Sequence, residues 1–207
     1  MLKASDIAPA PGIQTVGVES VPALADITAD AFRDDPFNRW LFGGFDPMHR
    51  TFANLARHIY AANGFCQILQ EDGEGRAASM WLMPGDKPDG SPLAMLQTYW
   101  GLLASGGFGA LARGKAAGDA MANHHPKAPH AYLFTVGVAS AGRGRGLGRR
   151  LIQPVLDACD STNTMAYLEN SNPANQRFYH SLGFERVELF HATPESPPLE
   201  AMQRKAR

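Results

Sequence analysis

The feature that most constrains the fold is a strand, a glycine-rich turn and a helix that follow one another between residues 130 and 161. In 132–139 (YLFTVGVA) both alternating sets of residues are mostly apolar, which is typical of a central strand buried on both faces. A strand joined to an amphipathic helix in this way favours a mixed α/β sheet. The helix is indicated by apolar residues at helical spacing: Leu147, Leu151, Ile152, Val155, Leu156 and Cys159.

The remaining segments alternate strand and helix patterns around this unit. A Pro/Ala-rich stretch over 1–13 predicts a flexible segment, and 14–207 reads as one domain. Two apolar runs on either side of EDGEG (71–75) predict a hairpin. In 91–125 we expect two helices broken at SGGFG (105–109). Further strands are predicted in 13–21, 164–170, 184–192 and 199–206, and further helices in 21–36, 49–64 and 172–182.

The composition excludes several classes of protein. The chain has 207 residues and a formal net charge of −1, so no general affinity for nucleic acid or anionic membranes is expected. The two cysteines, Cys66 and Cys159, lack the spacing of metal ligands and fit a reduced compartment. No signal peptide and no membrane-spanning run is recognisable. We therefore predict a cytoplasmic protein.

The turn GRGRGLGRRL (142–151) contains four arginines and no carboxylate. It matches neither the Walker loop nor the Rossmann fingerprint. It does contain R-x-x-G-x-G, at Arg143, Gly146 and Gly148, between a buried strand and a helix. Glycines allow successive N–H groups to converge on an anion, and the helix N-terminus adds to the attraction. These features favour a diphosphate site; a solvated basic turn or an RNA-binding segment are the alternatives.

Two stretches resemble a known enzyme family. TVGVASAGRGRGLGRRLI resembles motif A of the GCN5-related N-acetyltransferases (GNAT superfamily), and LENSNPANQRFYHSLGF resembles their motif B. DAFRDDPFNRWLF, MWLMPG and HHPKAPHAYLFTVGV further resemble the subgroup around puromycin N-acetyltransferase. The resemblance implies the GNAT fold, an α/β (α+β) arrangement. Its sheet is mixed and mostly antiparallel, with a splayed central strand pair and helices on both faces.

The resemblance also implies acetyl-CoA as co-substrate. Its pyrophosphate would lie on the N–H groups of 143–148, and its pantetheine arm would run beside the unpaired edge of the central strand. Asn175 is a further candidate for a hydrogen bond to the coenzyme. The implied coenzyme-binding residues are Val136, Val138, Arg143, Gly144, Arg145, Gly146, Leu147, Gly148 and Asn175.

Two residues are candidates for the proton transfers of amide formation. Tyr179 of motif B would donate a proton to the departing thiolate, although a core aromatic at helical spacing is the alternative. Glu169 would accept the amine proton through water, although a structural carboxylate hydrogen-bonded to nearby backbone is at least as compatible. Asp34 and Asp35 fit either a cation site or a simple turn. The histidines at 124, 125 and 130 lack matching ligands, so no metal is predicted.

These observations predict an N-acetyltransferase acting on a primary amine of a small molecule by direct attack in a ternary complex. The 91–123 insert and the loop after Phe42 would shape the acceptor site. Two alternatives remain open: a non-catalytic acyl-CoA-binding protein of the same fold, and an acetyltransferase for protein amines. We expect no nucleic-acid or membrane partner, and the resemblance allows a homodimer.

Overall fold

The computed structural model describes residues 1–86 and 92–207. Seven strands form one sheet in the order β1-β2-β3-β4-β5-β7-β6. All neighbouring strands are antiparallel except β4 and β5, which are parallel. The strands are β1 Ile13–Val16, β2 Phe65–Glu71, β3 Glu74–Leu82, β4 His130–Val138, β5 Met165–Asn170, β6 Glu185–Phe190 and β7 Leu199–Arg204.

Helices cover both faces of this sheet, as predicted. One apolar cluster joins α6 and α7 to one face, and another joins α1, α2 and α5 to the opposite face. A π-helical turn, Ala56–Tyr60, joins α3 to α4. The helices are α1 Val21–Phe32, α2 Pro36–Phe42, α3 Phe45–Leu55, α4 Ala61–Asn63, α5 Pro92–His124, α6 Leu147–Ser161 and α7 Gln176–Ser181.

The central strands separate part-way along their length. Pairing between β4 and β5 runs from His130 opposite Met165 to Tyr132 opposite Tyr167 and ends there. Beyond this point β4 continues to Val138, paired only with β3 on its other side. The predicted splayed pair is therefore present, and it leaves one edge of β4 open to a ligand.

The expected break in the long helical region is wrong. α5 runs for 33 residues through SGGFG as one helix. Within that stretch Gly107 has φ of 64°. The glycine-rich sequence thus marks a local distortion rather than a helix end, since tertiary contacts override weak local propensity.

The structure adds an N-terminal contact that sequence patterns did not reveal. Leu2 is 1% exposed and packs in the core cluster with Met83. The division into a flexible segment over 1–13 and a domain over 14–207 stays a prediction, and Leu2 ties the start of that segment to the core. Along the described stretches of the chain, no helix combines the length and apolar character needed to cross a membrane.

Candidate active site

A turn with unpaired backbone N–H groups follows β4. Gly144 and Gly146 have φ of 77° and 73°, a conformation that residues with a Cβ adopt only at a cost. Among the described residues, the N–H groups of Gly144, Arg145 and Gly146 find no acceptor. The first turn of α6 adds those of Leu147 and Gly148, because the first N–H groups of a helix lack an intrahelical partner. Together they form a concave set of donors suited to an anion.

This turn opens on a cavity of about 440 Å³, here called the coenzyme cavity. A Cβ built at Gly144 or Gly146 meets no atom within 4 Å, so it is their backbone conformation that calls for glycine. Arg145 does not line this cavity. The other proposed coenzyme-binding residues do line it: Val136, Val138, Arg143, Gly144, Gly146, Leu147, Gly148 and Asn175.

The arginine side chains of the turn are held by protein groups. Arg145 and Arg150 each lie 3.0 Å from an oxygen of Glu71. Arg143 donates from Nη2 to the carbonyl of Ala31 at 3.1 Å, and Arg149 donates to the hydroxyl of Ser181 at 2.6 Å. The anion-binding groups that face the coenzyme cavity are thus mainly backbone N–H groups.

A second cavity, of about 360 Å³, lies on the other side of the β4 edge and is here called the acceptor cavity. α2, α3 and α5 cover it, and β4 and β5 form its floor. Its walls are mostly apolar. Both cavities share Phe32, Val136, Asn175 and Tyr179, so they meet where the strands part.

Tyr179 lies at this junction. It is 8% exposed, and its ring packs 5.1 Å from Phe178 and 6.0 Å from Phe184, measured between centroids. Burial, with a smaller effect from the charge of Asp35, raises the pKa of the Tyr179 hydroxyl. The phenol therefore stays protonated at neutral pH and is available as a donor. Tyr179 is thus both a core ring and a wall of both cavities.

Short polar contacts place Tyr179 and Asn175. The side chain of Asn172 accepts a hydrogen bond from the N–H of Ala174 at 3.0 Å, which makes Asn172 the N-cap of the helical turn that follows. The helical turn that follows, Pro173–Asn175, leads directly into α7. This cap starts the helical segment that carries Asn175 and Tyr179, both of which line the two cavities.

Glu169 lines the acceptor cavity near the end of β5. Its side chain is 2% exposed, and its Oε1 has no hydrogen-bond partner among the described residues. Burial, with the Glu169 charge as a second cause, raises the pKa of Tyr132 and of Tyr167. The carboxylate thus lies among phenols and within 3.5 Å of His125 Nδ1.

Asp35 has a structural position. Its Oδ1 accepts hydrogen bonds from the backbone and the side-chain nitrogen of Asn38, and its Oδ2 accepts one from Ser171 Oγ at 2.7 Å. Burial raises its pKa against the effect of these bonds. Asp34 and Asp35 line the coenzyme cavity rather than the acceptor cavity. The contacts of Asp35 therefore fit a helix cap better than a site for a cationic acceptor.

Comparison with known proteins identifies the family. A model of the acetyltransferase (GNAT) family matches residues 77–184, more than half of the chain. The chain belongs to this family. GNAT acetyltransferases use acetyl-CoA as co-substrate, which makes the chain an acyltransferase by class. The 440 Å³ cavity with its open donors fits the diphosphate of that co-substrate.

Individual relatives agree with the family assignment. The chain is 37% identical over 76 residues to an uncharacterized N-acetyltransferase of Schizosaccharomyces pombe, covering 36% of this chain and 31% of that protein. It is 39% identical over 57 residues to N-alpha-acetyltransferase RimI of Mycobacterium tuberculosis, covering 28% and 36%. The matches thus span about a third of each of these curated relatives.

Among solved structures, the chain resembles the "histone acetyltransferase HPA2 and related acetyltransferase" of Corynebacterium glutamicum. The TM-score is 0.71 at 25% identity, over 96% of this chain and 98% of that one. The GNAT fold of the chain, with its mixed sheet and helices on both faces, agrees with this neighbour.

The sequence analysis expected the 91–123 insert to shape the acceptor cavity, and α5 does line it; the walls from α2 and α3 were missed. Phe37, Leu41 and Phe42 of α2 and Phe52 and Leu55 of α3 all line it. Their helical spacing is the same as that of core residues, so periodicity alone does not separate the two roles. The remaining signal was the cluster of aromatic residues between 32 and 52.

The histidines and cysteines show no metal arrangement. In the part of the chain that the structure describes, no group of three or more His, Cys, Asp or Glu side chains is placed to hold an ion; the absence of a metal stays a prediction. Cys66 and Cys159 are free and buried. Burial raises the pKa of each thiol to about 12, which makes both unreactive.

Proposed function

We propose that this GNAT protein transfers acetyl from acetyl-CoA to a primary amine of a small molecule whose body is mainly apolar. The observation that carries the proposal is the acceptor cavity. It is apolar, holds about 360 Å³, and meets the coenzyme cavity at Val136 and Tyr179. A cavity of this size suits a drug-sized or smaller ligand.

The proposed coenzyme site is the turn with its neighbours. N–H groups of 143–148 would bind the diphosphate, the open edge of β4 at Val136 and Val138 would bind the amides of the arm, and Asn175 would add a hydrogen bond. Bound there, acetyl-CoA supplies the acetyl thioester. The junction of the cavities is where its carbonyl would meet the amine.

The chain's own groups would then assist the transfer. Glu169 takes a proton from the ammonium, and the freed lone pair forms the C–N bond to the acetyl carbonyl. The C–S bond breaks, its electron pair stays on sulfur, and Tyr179 donates a proton to that sulfur. The nitrogen of the new amide, which still carries two hydrogens, loses one of them to water, and water returns a proton to the phenol. Holding the two substrates in line at the junction would supply much of the rate.

Two other classes of amine are candidates for the acceptor. Among the relatives, RimI bears the name N-alpha-acetyltransferase, so a protein amine is the second candidate. The resemblance to the puromycin N-acetyltransferase subgroup adds an aminonucleoside as a third. The mostly apolar walls under α2 and α3 favour a compact amine over the extended backbone of a peptide, whose amides would lie there without partners.

The test is a panel of amines with acetyl-CoA, read as release of free thiol and confirmed by the mass of the product. It would contain arylalkylamines, alkylamines, polyamines, an aminonucleoside and peptides with free N-termini. We expect the apolar monoamines to have the highest kcat/KM. A peptide acetylated faster than every small amine would overturn the small-molecule assignment. Coenzyme binding without any turnover would favour the non-catalytic alternative.

Three further expectations accompany this proposal. We expect the protein to act in the cytoplasm, without a nucleic-acid or membrane partner. A homodimer is compatible with the family resemblance. Size-exclusion chromatography with light scattering would give the oligomeric state, and a filter-binding assay with DNA and RNA would check the second expectation.

A further inference from the structure

A histidine cluster lies behind the acceptor cavity, next to Glu169. His125, directly after α5, points its Nδ1 toward Oε1 of Glu169 at 3.5 Å. Its Nε2 lies 2.9 Å from Nε2 of His130. The His125 side chain is 32% exposed, whereas that of Glu169 is 2% exposed. A partly exposed imidazole thus lies next to a buried carboxylate.

The hydrogen bonds determine where the protons of this cluster lie. Nδ1 of His130 is 2.7 Å from the carbonyl of Ala128, which only accepts, so this nitrogen carries hydrogen. Burial lowers the pKa of His130 and keeps its ring neutral, with a bare Nε2. Nε2 of His125 must then donate to it. The remaining nitrogen of that ring, Nδ1 of His125, takes no part in these bonds, and it faces Glu169.

The surroundings hold this ring in place. It meets Tyr132 and Tyr167 edge to face, with centroids 4.6 Å and 5.1 Å away. His124 instead stacks on Phe190 and lies 3.7 Å from Glu188 of β6. The titratable groups around His125 are His130 and Tyr132 on β4, Tyr167 and Glu169 on β5, and His124 on α5.

We propose that His125 and Glu169 share one exchangeable proton, and that His125 takes from Glu169 the proton released by the amine. This inference rests on the proposed acetyl transfer and assigns the step after it. The proton moves from the Glu169 carboxyl to Nδ1 of His125, which restores the carboxylate and leaves an imidazolium. The imidazolium then returns its proton to water. His125 acts through Glu169, so it is a positioning and proton-accepting residue.

The kinetic test compares His125→Gln with His124→Gln. Gln still donates a hydrogen bond at position 125 but takes up no proton. We expect kcat to fall by about tenfold or more in His125→Gln, with the KM values for amine and acetyl-CoA within about twofold of those of the wild type. The rise of kcat with pH that accompanies deprotonation of the imidazole should be absent. His124→Gln, which removes a ring next to it that does not face Glu169, should keep the wild-type profile.

An NMR titration tests the pair without turnover. In the wild type, the His125 ring signals should titrate at a higher midpoint than in Glu169→Gln, where the imidazolium loses its carboxylate. An unchanged midpoint, or a wild-type pH profile in His125→Gln, would overturn the proposal. If no amine in the panel is acetylated, the proposed function fails, while the titration still decides whether the two residues share a proton.

Discussion

Tyr132 of β4 and Tyr167 of β5 form the last residue pair before the central strands separate. Past this pair, the open edge of β4 runs between the coenzyme cavity and the acceptor cavity, and Val136 lines both. Residues 130–132 of β4 are thus paired with β5, whereas residues 133–138 have no strand on that side and are open to a ligand.

Replacing Tyr179 by Phe removes a hydroxyl and keeps the ring that packs on Phe178 and Phe184. If the phenol donates to the departing thiolate, kcat should fall by about 100-fold. The Kd for acetyl-CoA, measured by calorimetry, should stay within about twofold. An unchanged kcat would show that Tyr179 only packs.

Replacing Gly146 by Ala adds a Cβ at φ of 73°. The strain should cost about 1 kcal/mol of unfolding free energy, and the displaced N–H groups should weaken CoA binding by about tenfold or more. The matched control is Gly73→Ala in the β2–β3 turn, at φ of 77° and outside both cavities. It should show a similar loss of stability with normal CoA binding. Equal effects on binding in both variants would contradict the assignment of the turn.

Enlarging a wall of the acceptor cavity should change the choice of amine. Ala117 of α5 is 4% exposed and lines this cavity. In Ala117→Leu we expect the KM for large amines to rise by about tenfold, with smaller amines affected less, because the added methyl groups fill space. Ala116→Leu, next to it and outside the cavity wall, is the control. A loss of acetyl-CoA binding in Ala117→Leu would show that the cavity serves the coenzyme instead.

The pair of Arg204 and Asp160 should make stability depend on pH. Both oxygens of Asp160 accept from the guanidinium at 2.7 Å, and this contact holds the pKa of Asp160 below its usual value. Since the pKa is lowered in the folded state, the stabilisation is complete above the pKa of an unfolded Asp, about 4, and is lost as pH falls through the folded value.

Asp160→Asn leaves Arg204, which is 3% exposed, without its charged partner. We expect a loss of about 3 kcal/mol at pH 7 that shrinks toward pH 2. Urea unfolding of both proteins across this range measures the difference. Asp157→Asn, a substitution at an exposed site of the same helix, should lose little at any pH; a similar loss there would argue against the pair.

The sequence predicts the parts of this protein whose signals are local. The strands around EDGEG form the expected hairpin of β2 and β3, because turn residues and alternating apolar residues specify it together. SGGFG led to the wrong prediction of a helix break, because α5 continues through it. Glycine lowers helix propensity by about 1 kcal/mol, which the packing of a long helix exceeds.

Only part of the candidate active site could be predicted from the sequence. The turn at 142–148 could be located from the sequence, because its glycines and arginines follow a fixed spacing after a buried strand. Its role in binding a diphosphate stays a prediction. His125 and Glu169 are 44 positions apart in the sequence and come into contact only in the fold. No periodic pattern in the sequence indicates such a pair. The same holds for Phe37 of α2, since a cavity wall and a core have the same composition.

The open edge of β4 makes the sheet incomplete without its ligand. Six residues past Tyr132 extend to Val138 with a neighbouring strand on one side only. A pantetheine arm laid along this edge would act as a short extra strand, so binding of the coenzyme would stabilise the sheet. If the coenzyme binds at this interruption, the loaded protein should melt at a higher temperature than the empty one.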